Sequence, residues 1–437
     1  MYKLKSEIYQ LNNKLIKNGA LHVILGSFLT KFVSFFGSIF LVRIISKSDY
    51  GVLSYFENFI SYFTILAGLG LASGLSRYIV LADDVAMRKS CFNYALKRGS
   101  VWNIILVVIA TIFMTLYPHP AAFRGYNHIS IMLIICIPFV FLCNSSLSTL
   151  RALFDYKSYA FLAFTTSVFL ILMRILGAAI NGLNGAVLFR LLSEIICAVS
   201  CLICIFFKYF KIIEANKLDS QFSNEMNSYS FQIMITDGLW AIFMLNDMFI
   251  LGQMIGDLLI IADYKVAYVI PANLSILTNA IGIFVAPYFT RHEKENDWGW
   301  IKKNYKLLLA FTTLVMGVLT ILCFISAVFL ITLMYGKKYL SAVPIMRVLL
   351  LASFFNNGIR SAVANILSAM GMQKTNLFVA AGGIVLQILL DVLLIPIYGS
   401  KGVAFSSVLV YLFMGIILLL FLNRTLKKKT KDGVTYA

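Results

Sequence analysis

Residues 159–207 read YAFLAFTTSVFLILMRILGAAINGLNGAVLFRLLSEIICAVSCLICIFF, two apolar runs on either side of Asn181-Gly182 in which only Arg174, Arg190 and Glu194 carry charge. A helix crosses the hydrocarbon core of a bilayer with roughly 20 apolar residues. The stretch therefore reads as two antiparallel membrane helices, 159–180 and 184–207, joined by a tight turn. The rest of the chain has the same character. Of its 437 residues 60% are hydrophobic and 13% charged, with a mean hydropathy of +0.87. A water-soluble chain of this length needs far more polar surface than that. Zinc enzymes, nucleotide-binding folds and secreted disulfide scaffolds are excluded as models.

Apolar segments recur near 20–46, 51–76, 99–117, 129–149, 159–180 and 184–207, and again near 229–252, 266–290, 307–334, 339–369, 377–397 and 402–422. The first exceeds a signal-peptide core and is expected to remain as a helix. The net charge of +18 would suggest nucleic acid in a soluble protein. With the N-terminus placed in the cytoplasm, however, 25 of the 37 basic residues fall in inward segments and six in outward ones. Basic residues concentrate in cytoplasmic loops of membrane proteins, so the charge is topological and no nucleic-acid partner is expected. Twelve spans with both termini cytoplasmic follow.

The sequence also repeats itself. At an offset of 214, Asp49-Tyr50-x-Val52 matches Asp263-Tyr264-x-Val266, and Ser61, Thr64, Gly68 and Arg77 match Ser275, Thr278, Gly282 and Arg291. At an offset of 217, Leu150, Ala152 and Lys157 match Leu367, Ala369 and Lys374, and Ile180-x-Gly182-x-x-Gly185 matches Ile397-x-Gly399-x-x-Gly402. The expected fold is an all-α polytopic membrane protein of twelve transmembrane helices. They form two six-helix lobes, residues 1–215 and 216–437, related by a pseudo-twofold along the membrane normal. That is a transporter's architecture, in which lobes rock about a central cavity.

Polar residues in the spans supply the candidate site. Ser54, Glu57, Asn58, Ser61, Thr64 and Gly68 make a stripe along the second span, and Pro271, Ser275, Thr278, Asn279 and Gly282 along its repeat partner. Small residues of this kind serve helix packing or line a wet cavity, and Glu57 and Asn58 favour the cavity. The spans hold six basic residues (Lys31, Arg43, Arg174, Arg190, Arg347, Arg360) and five acidic ones (Glu57, Glu194, Asp237, Asp247, Asp391). Each costs about 2.5–3.5 kcal/mol at a helix centre facing lipid, so each must pair, snorkel or face water. Arg174, Arg190 and Glu194 flank the Gly182 turn and either pair with one another, the favoured reading, or contact substrate. Lys31, halfway along its helix with no acid within four residues, either contacts an anion or pairs with Asp237 or Glu57. Arg77 and Arg291 end equivalent spans and either receive an anionic head group or set topology. Asp237 and Asp247 are proton or cation candidates, or structural partners. Cys197, Cys201 and Cys204 share a helical face with no histidine near, so no metal site is expected, and no phosphate-binding glycine loop is present.

The opening Gly19–Arg77, with Arg43-Ile44-Ile45-Ser46-Lys47-Ser48-Asp49-Tyr50-Gly51 at its first junction and Gly68-Leu69-Gly70 before Arg77, resembles the polysaccharide-biosynthesis flippases. These Wzx-type O-antigen transporters belong to the multidrug/oligosaccharidyl-lipid/polysaccharide (MOP) exporter superfamily. The resemblance implies a flippase, not an enzyme, that moves undecaprenyl-diphosphate-linked oligosaccharide from the cytoplasmic to the periplasmic leaflet of a bacterial inner membrane by alternating access. It also implies a cavity lined by the first, second, seventh and eighth spans. Lys31, Glu57, Asn58, Ser61, Arg77, Asn279 and Arg291 then become substrate contacts, and Asp237 and Asp247 proton or sodium sites, with no resident cofactor. Membrane lipid, an O-antigen polymerase and a chain-length regulator are the implied partners. The alternative is a multidrug or cation antiporter of the same superfamily.

Overall fold

The computed structural model describes residues 20–211, 213–214 and 218–434. The expected lobe boundary at 215/216, both termini and the inward basic residues Lys3, Lys5, Lys14, Lys17 and Lys217 lie outside them. Among the described residues every regular element is helical. By length and apolarity nine helices among the described residues can cross a membrane, or ten when a pair bent by 47° between Lys47 and Leu81 is counted as one. The protein is a multi-pass membrane protein. The expectation of twelve spans counts 20–46 as a span and 159–180 and 184–207 as two, whereas the nine include Tyr156–Phe210 as a single broken helix.

Two compact units divide the chain. Unit 1 holds the described residues up to Pro118 and Arg124–Gly238, and unit 2 holds His119–Phe123 and Leu239 onward. Unit 1 contains α1 (Ala20–Ile44), α2 (Lys47–Ile65), α3 (Leu71–Leu81), α4 (Val85–Leu116), α5 (Asn127–Ala152) and α6 (Tyr156–Ile205). It also takes the first part of α7 (Ser220–Ile255). Gly26 and Gly37 of α1 press on Ala160 and Ile171 of α6, closer than any side chain would permit. Small residues let membrane helices approach in this way, where no hydrophobic force drives association.

The expected single span 51–76 is broken. Gly68, Leu69 and Gly70 all take positive φ (58°, 52° and 76°), which ends α2 and starts α3 at an angle. Polar groups freed by the break find partners: Gly68 N–H donates to Asn103 Oδ1 at 2.8 Å and Trp102 Nε1–H to the Leu66 carbonyl at 2.8 Å. An unsatisfied backbone group in hydrocarbon costs several kcal/mol, so these two side chains make the bend affordable. In α6 the helix reverses at Asn181 and Gly182 (φ 52°, ψ −133°). Beyond the turn, Gly185 lies against the backbone carbonyl of Gly177.

Unit 2 contains the rest of α7, α8 (Leu258–Asn273), α9 (Ser275–Lys294), α10 (Trp298–Ile325) and α11 (Ala327–Tyr335). It continues with α12 (Val343–Ser353), α13 (Ser361–Ala369), α14 (Gln373–Tyr398) and α15 (Ser400–Val434). The sequence repeat is also a structural one. Gly399 turns with φ 58° and ψ −138°, nearly the values of Gly182. Gly402 lies against the Leu394 carbonyl as Gly185 lies against Gly177. The Asp155 N–H to Leu150 carbonyl bond (3.0 Å) recurs as Met372 to Leu367 (2.8 Å). The units differ where the 214 offset would predict a second break: α9 runs unbroken through Gly282, and the chain bends earlier, at Leu274.

Between α5 and α6, Asp155 accepts hydrogen bonds from Lys208 (2.6 Å) and Tyr209 and caps the Ser158 N–H at 3.1 Å. Burial pushes its carboxyl up, but these donors outweigh burial and hold it well below the usual carboxylate range. A depressed native pKa adds stability that is complete above the unfolded value near pH 4 and fades as pH falls below it. Asp155→Asn is therefore expected to cost about 1–2 kcal/mol at neutral pH, with the gap in melting temperature closing as the buffer is taken below about pH 4. Gly185→Leu is expected to destabilise unit 1 by about 1–3 kcal/mol or more, read as a lower melting temperature of the purified protein.

Candidate functional site

Charge inside the spans concentrates in one cluster per unit. In unit 1, Glu57 comes from α2, Arg174 from the first arm of α6 and Arg190 from the second. Both guanidiniums donate to the same oxygen, Glu57 Oε1, at 2.5 Å. About a quarter of each side chain is exposed. One carboxylate thus ties three helical segments together. The expected pairing of Arg174 and Arg190 with Glu194 is corrected: both pair with Glu57 instead, and Glu194, buried in α6, makes no ion pair among the described residues. Position 57 lies 117 and 133 residues away from its partners, a separation that no local pattern spans.

Of the two roles open to Lys31, pairing with Glu57 or Asp237 is not seen, since Lys31 makes no ion pair among the described residues. It is exposed on α1. Helical spacing puts it on one face with Ser34 and Ser38, while the exposed Phe28, Phe32, Phe36 and Phe40 follow each other at intervals of four on a different face. Asn58 is buried, and the Ser61 hydroxyl donates to the Glu57 carbonyl at 2.6 Å. The Arg77 guanidinium lies 4.6 Å from the centroid of the Tyr229 ring, and Asp237 is exposed on α7. These residues all belong to unit 1.

In unit 2, Asn279 is exposed on α9, and Arg291 pairs with Glu295 at 2.9 Å near the end of that helix. Asp247 of α7 accepts from the hydroxyls of Ser407 (2.7 Å) and Tyr264 (3.1 Å). Asp391 of α14 is fully buried, with the Gln387 amide donating to both its oxygens at 3.1 and 3.3 Å. The two carboxylates are near enough for their charges to interact, and no basic side chain pairs with either among the described residues. Sequence reading singled out Asp247 but only counted Asp391 among the acidic residues of the spans; only folding brings α7, α14 and α15 together. The repeat inverts the chemistry. At the 217 offset Arg174 becomes Asp391 and Arg190 becomes Ser407, and at the 214 offset Glu57 becomes Pro271. Equivalent depths therefore hold paired cations in unit 1 and acids with hydroxyls in unit 2. No three His, Cys, Asp or Glu side chains converge as a metal site among the described residues.

Comparison with known proteins agrees with this architecture. A family model described as polysaccharide biosynthesis protein matches residues 40–344. An uncharacterized membrane protein of Methanocaldococcus jannaschii is 23% identical, the match covering 95% of this chain and 85% of that protein. Among solved structures, an inward-facing multidrug resistance MATE transporter of the MOP superfamily aligns with a TM-score of 0.72 at 16% identity, covering 92% of this chain and 96% of that one. The lipid II flippase MurJ, in an inward closed conformation, aligns with a TM-score of 0.70 at 17% identity over 92% and 87% of the two chains. A MOP transporter from Pyrococcus furiosus, described as having a binding pocket of reversed polarity, aligns at 0.62 and 15% identity over 95% and 96%.

If Glu57 is the tie that holds α2 to both arms of α6, Glu57→Gln should lower stability by about 2 kcal/mol. That is less than the 3–5 kcal/mol of a sealed pair, because part of each group is open to solvent. Adding Arg174→Gln should restore part of the loss, measured as melting temperature of single and double variants.

Proposed function

Since the chain belongs to the polysaccharide biosynthesis protein family and has the fold of the MOP superfamily, we propose that it is a flippase for undecaprenyl-diphosphate-linked oligosaccharide, the O-antigen repeat unit or a related glycan. It would act in a bacterial inner membrane with both termini cytoplasmic, carrying the head group to the periplasmic leaflet by alternating access. The observation that carries this reading is the family match over residues 40–344. A diphosphate-sugar head group is too polar to enter hydrocarbon unaided, while its polyprenyl tail is at home there. The protein's task is to supply polar and cationic lining. Lys31 on its serine-bearing face, the Arg174 and Arg190 guanidiniums beside Glu57, and Arg77 and Arg291 at helix ends supply that chemistry. Asn58, Ser61 and Asn279 add neutral polar groups. Covalent chemistry has no place in this scheme; a polymerase and a chain-length regulator would act on the delivered product.

Asp247 and Asp391 support coupling to an ion. Two carboxylates inside membrane helices with no basic partner are tolerated when one holds a proton or both share a small cation. Serine, tyrosine and glutamine oxygens around them suit either, and Asp237 is a second acidic candidate. A multidrug or cation antiporter would use the same acids for an organic cation. Uptake of an ethidium-like dye by vesicles separates the two readings.

Deletion of the gene is expected to leave lipid-linked repeat units on the inner leaflet and to remove surface polysaccharide, with restoration by the wild-type chain. Lys31→Glu should fail to restore it while remaining in the membrane at normal abundance. Asp247→Asn should likewise lose transport with the fold intact. Normal surface polysaccharide in the deletion strain would overturn the reading.

A further inference from the structure

Arg360 is the last residue of a wide π-type turn, Phe354–Arg360, between α12 and α13. Turns of this kind inside helices concentrate at functional sites. This one is held firmly: the Gly358 carbonyl accepts from the hydroxyls of Thr312 (2.9 Å) and Thr313 (3.3 Å), and the Asn357 amide donates to Ser353 Oγ at 2.9 Å. At ~1.5 Å per residue the Arg360 Cα sits roughly 14 Å from the α13 end of the segment, near the middle of a hydrocarbon core of about 30 Å. A side chain at that depth is beyond reach of either surface.

The guanidinium is positioned but not neutralised. It lies 4.3 Å from the centroid of the Trp240 ring, Nε donates to Asn356 Oδ1 at 2.7 Å, and an Nη is 3.5 Å from Ser361 Oγ. No carboxylate pairs with it among the described residues. Arg174 and Arg190, by contrast, share Glu57, and Arg347 rests on the ring and carbonyl of Phe324. The residue is partly exposed, and its second terminal nitrogen donates to no acceptor among the described residues. Tryptophan and asparagine fix the plane while the Nη edge keeps donors in the geometry that matches a carboxylate or phosphate with two parallel hydrogen bonds. An intramembrane cation without a counter-charge is a functional group by default.

We propose that Arg360 is an oxyanion-binding residue of unit 2 that engages an anionic group, phosphate or sugar carboxylate, of the translocated head group. This rests on the flippase reading above. Trp240 and Asn356 act as positioning residues that hold the fork.

The test uses the full chain in nanodiscs of zwitterionic lipid and compares wild type, Arg360→Gln and Arg360→Lys. One arm measures binding of polyprenyl diphosphate against polyprenol; the other measures a uronic-acid glycolipid without phosphate against its neutral counterpart. Wild type is expected to prefer the anionic ligand in at least one arm, and the arm identifies the group. Arg360→Gln should reduce that preference about tenfold or more, and Arg360→Lys should keep part of it, since charge survives without the fork. Equal preference in wild type and Arg360→Gln in both arms overturns the assignment of Arg360 and leaves the flippase reading standing. Absence of any preference in wild type overturns both. Stabilisation of wild type but not Arg360→Gln by phosphatidylglycerol, with unchanged preference in both arms, makes the occupant a resident lipid and also overturns the proposal. Should Arg360→Gln lose its fold by melting analysis, the Arg360→Lys comparison decides: full wild-type preference there rejects a role for the planar fork.

Discussion

Within a bilayer a backbone N–H or carbonyl that loses its helical partner has no water to turn to, and each such group costs several kcal/mol. Breaks in the described membrane helices are answerable to that constraint. Where α2 gives way to α3, Asn103 and Trp102 take up the freed groups at Gly68 and Leu66. At the π-type turn, Thr312 and Thr313 take the Gly358 carbonyl. Just before the bend at Leu274, the Ser353 hydroxyl donates to the Pro271 carbonyl at 2.9 Å. Bends are thus built from pairs of features: a residue that can leave the helix and a polar side chain from a neighbouring helix that compensates. The cost restricts bends to places where such a neighbour exists, which is why they mark positions of mechanical and chemical interest.

Charge obeys the same economy with larger stakes. Unit 1 places two guanidiniums on one carboxylate, while unit 2 places two carboxylates among hydroxyls and an amide, and sets one guanidinium against an indole face. Divergence between the repeats has therefore kept the backbone, down to matching φ and ψ at Gly182 and Gly399, and exchanged the chemistry carried on it. The duplicated scaffold thus carries opposite charges at an equivalent position, Arg174 in unit 1 and Asp391 in unit 2.

Much of the architecture was legible before folding was considered. Apolar run length gave the membrane class, because hydrocarbon thickness imposes a nearly fixed number of residues per crossing. The Ile180-x-Gly182-x-x-Gly185 motif and its copy marked the hairpin turns, because a reversal between close-packed helices needs a positive φ and a missing side chain at defined places. The break at Gly68-Leu69-Gly70 was visible as residues but was read as part of one span: a positive φ at Leu69 is costly in isolation and becomes tenable only with Asn103 and Trp102 alongside. The partnership of Glu57 with Arg174 and Arg190 was misassigned to Glu194 for a similar reason. Proximity in sequence stood in for contact in space: Glu194 lies near enough for its charge to act on both arginines, yet Glu57 makes the ion pairs.

By itself, the sequence determined that this chain lives in a membrane, that it is helical and that it is doubled, since those properties follow from composition, run length and repetition along one dimension. The tertiary structure alone decided which charges neutralise one another and which remain available. That outcome depends on where helices more than a hundred residues apart come to lie, and electrostatic pairing falls off over a few ångströms, far less than the width of a single helix.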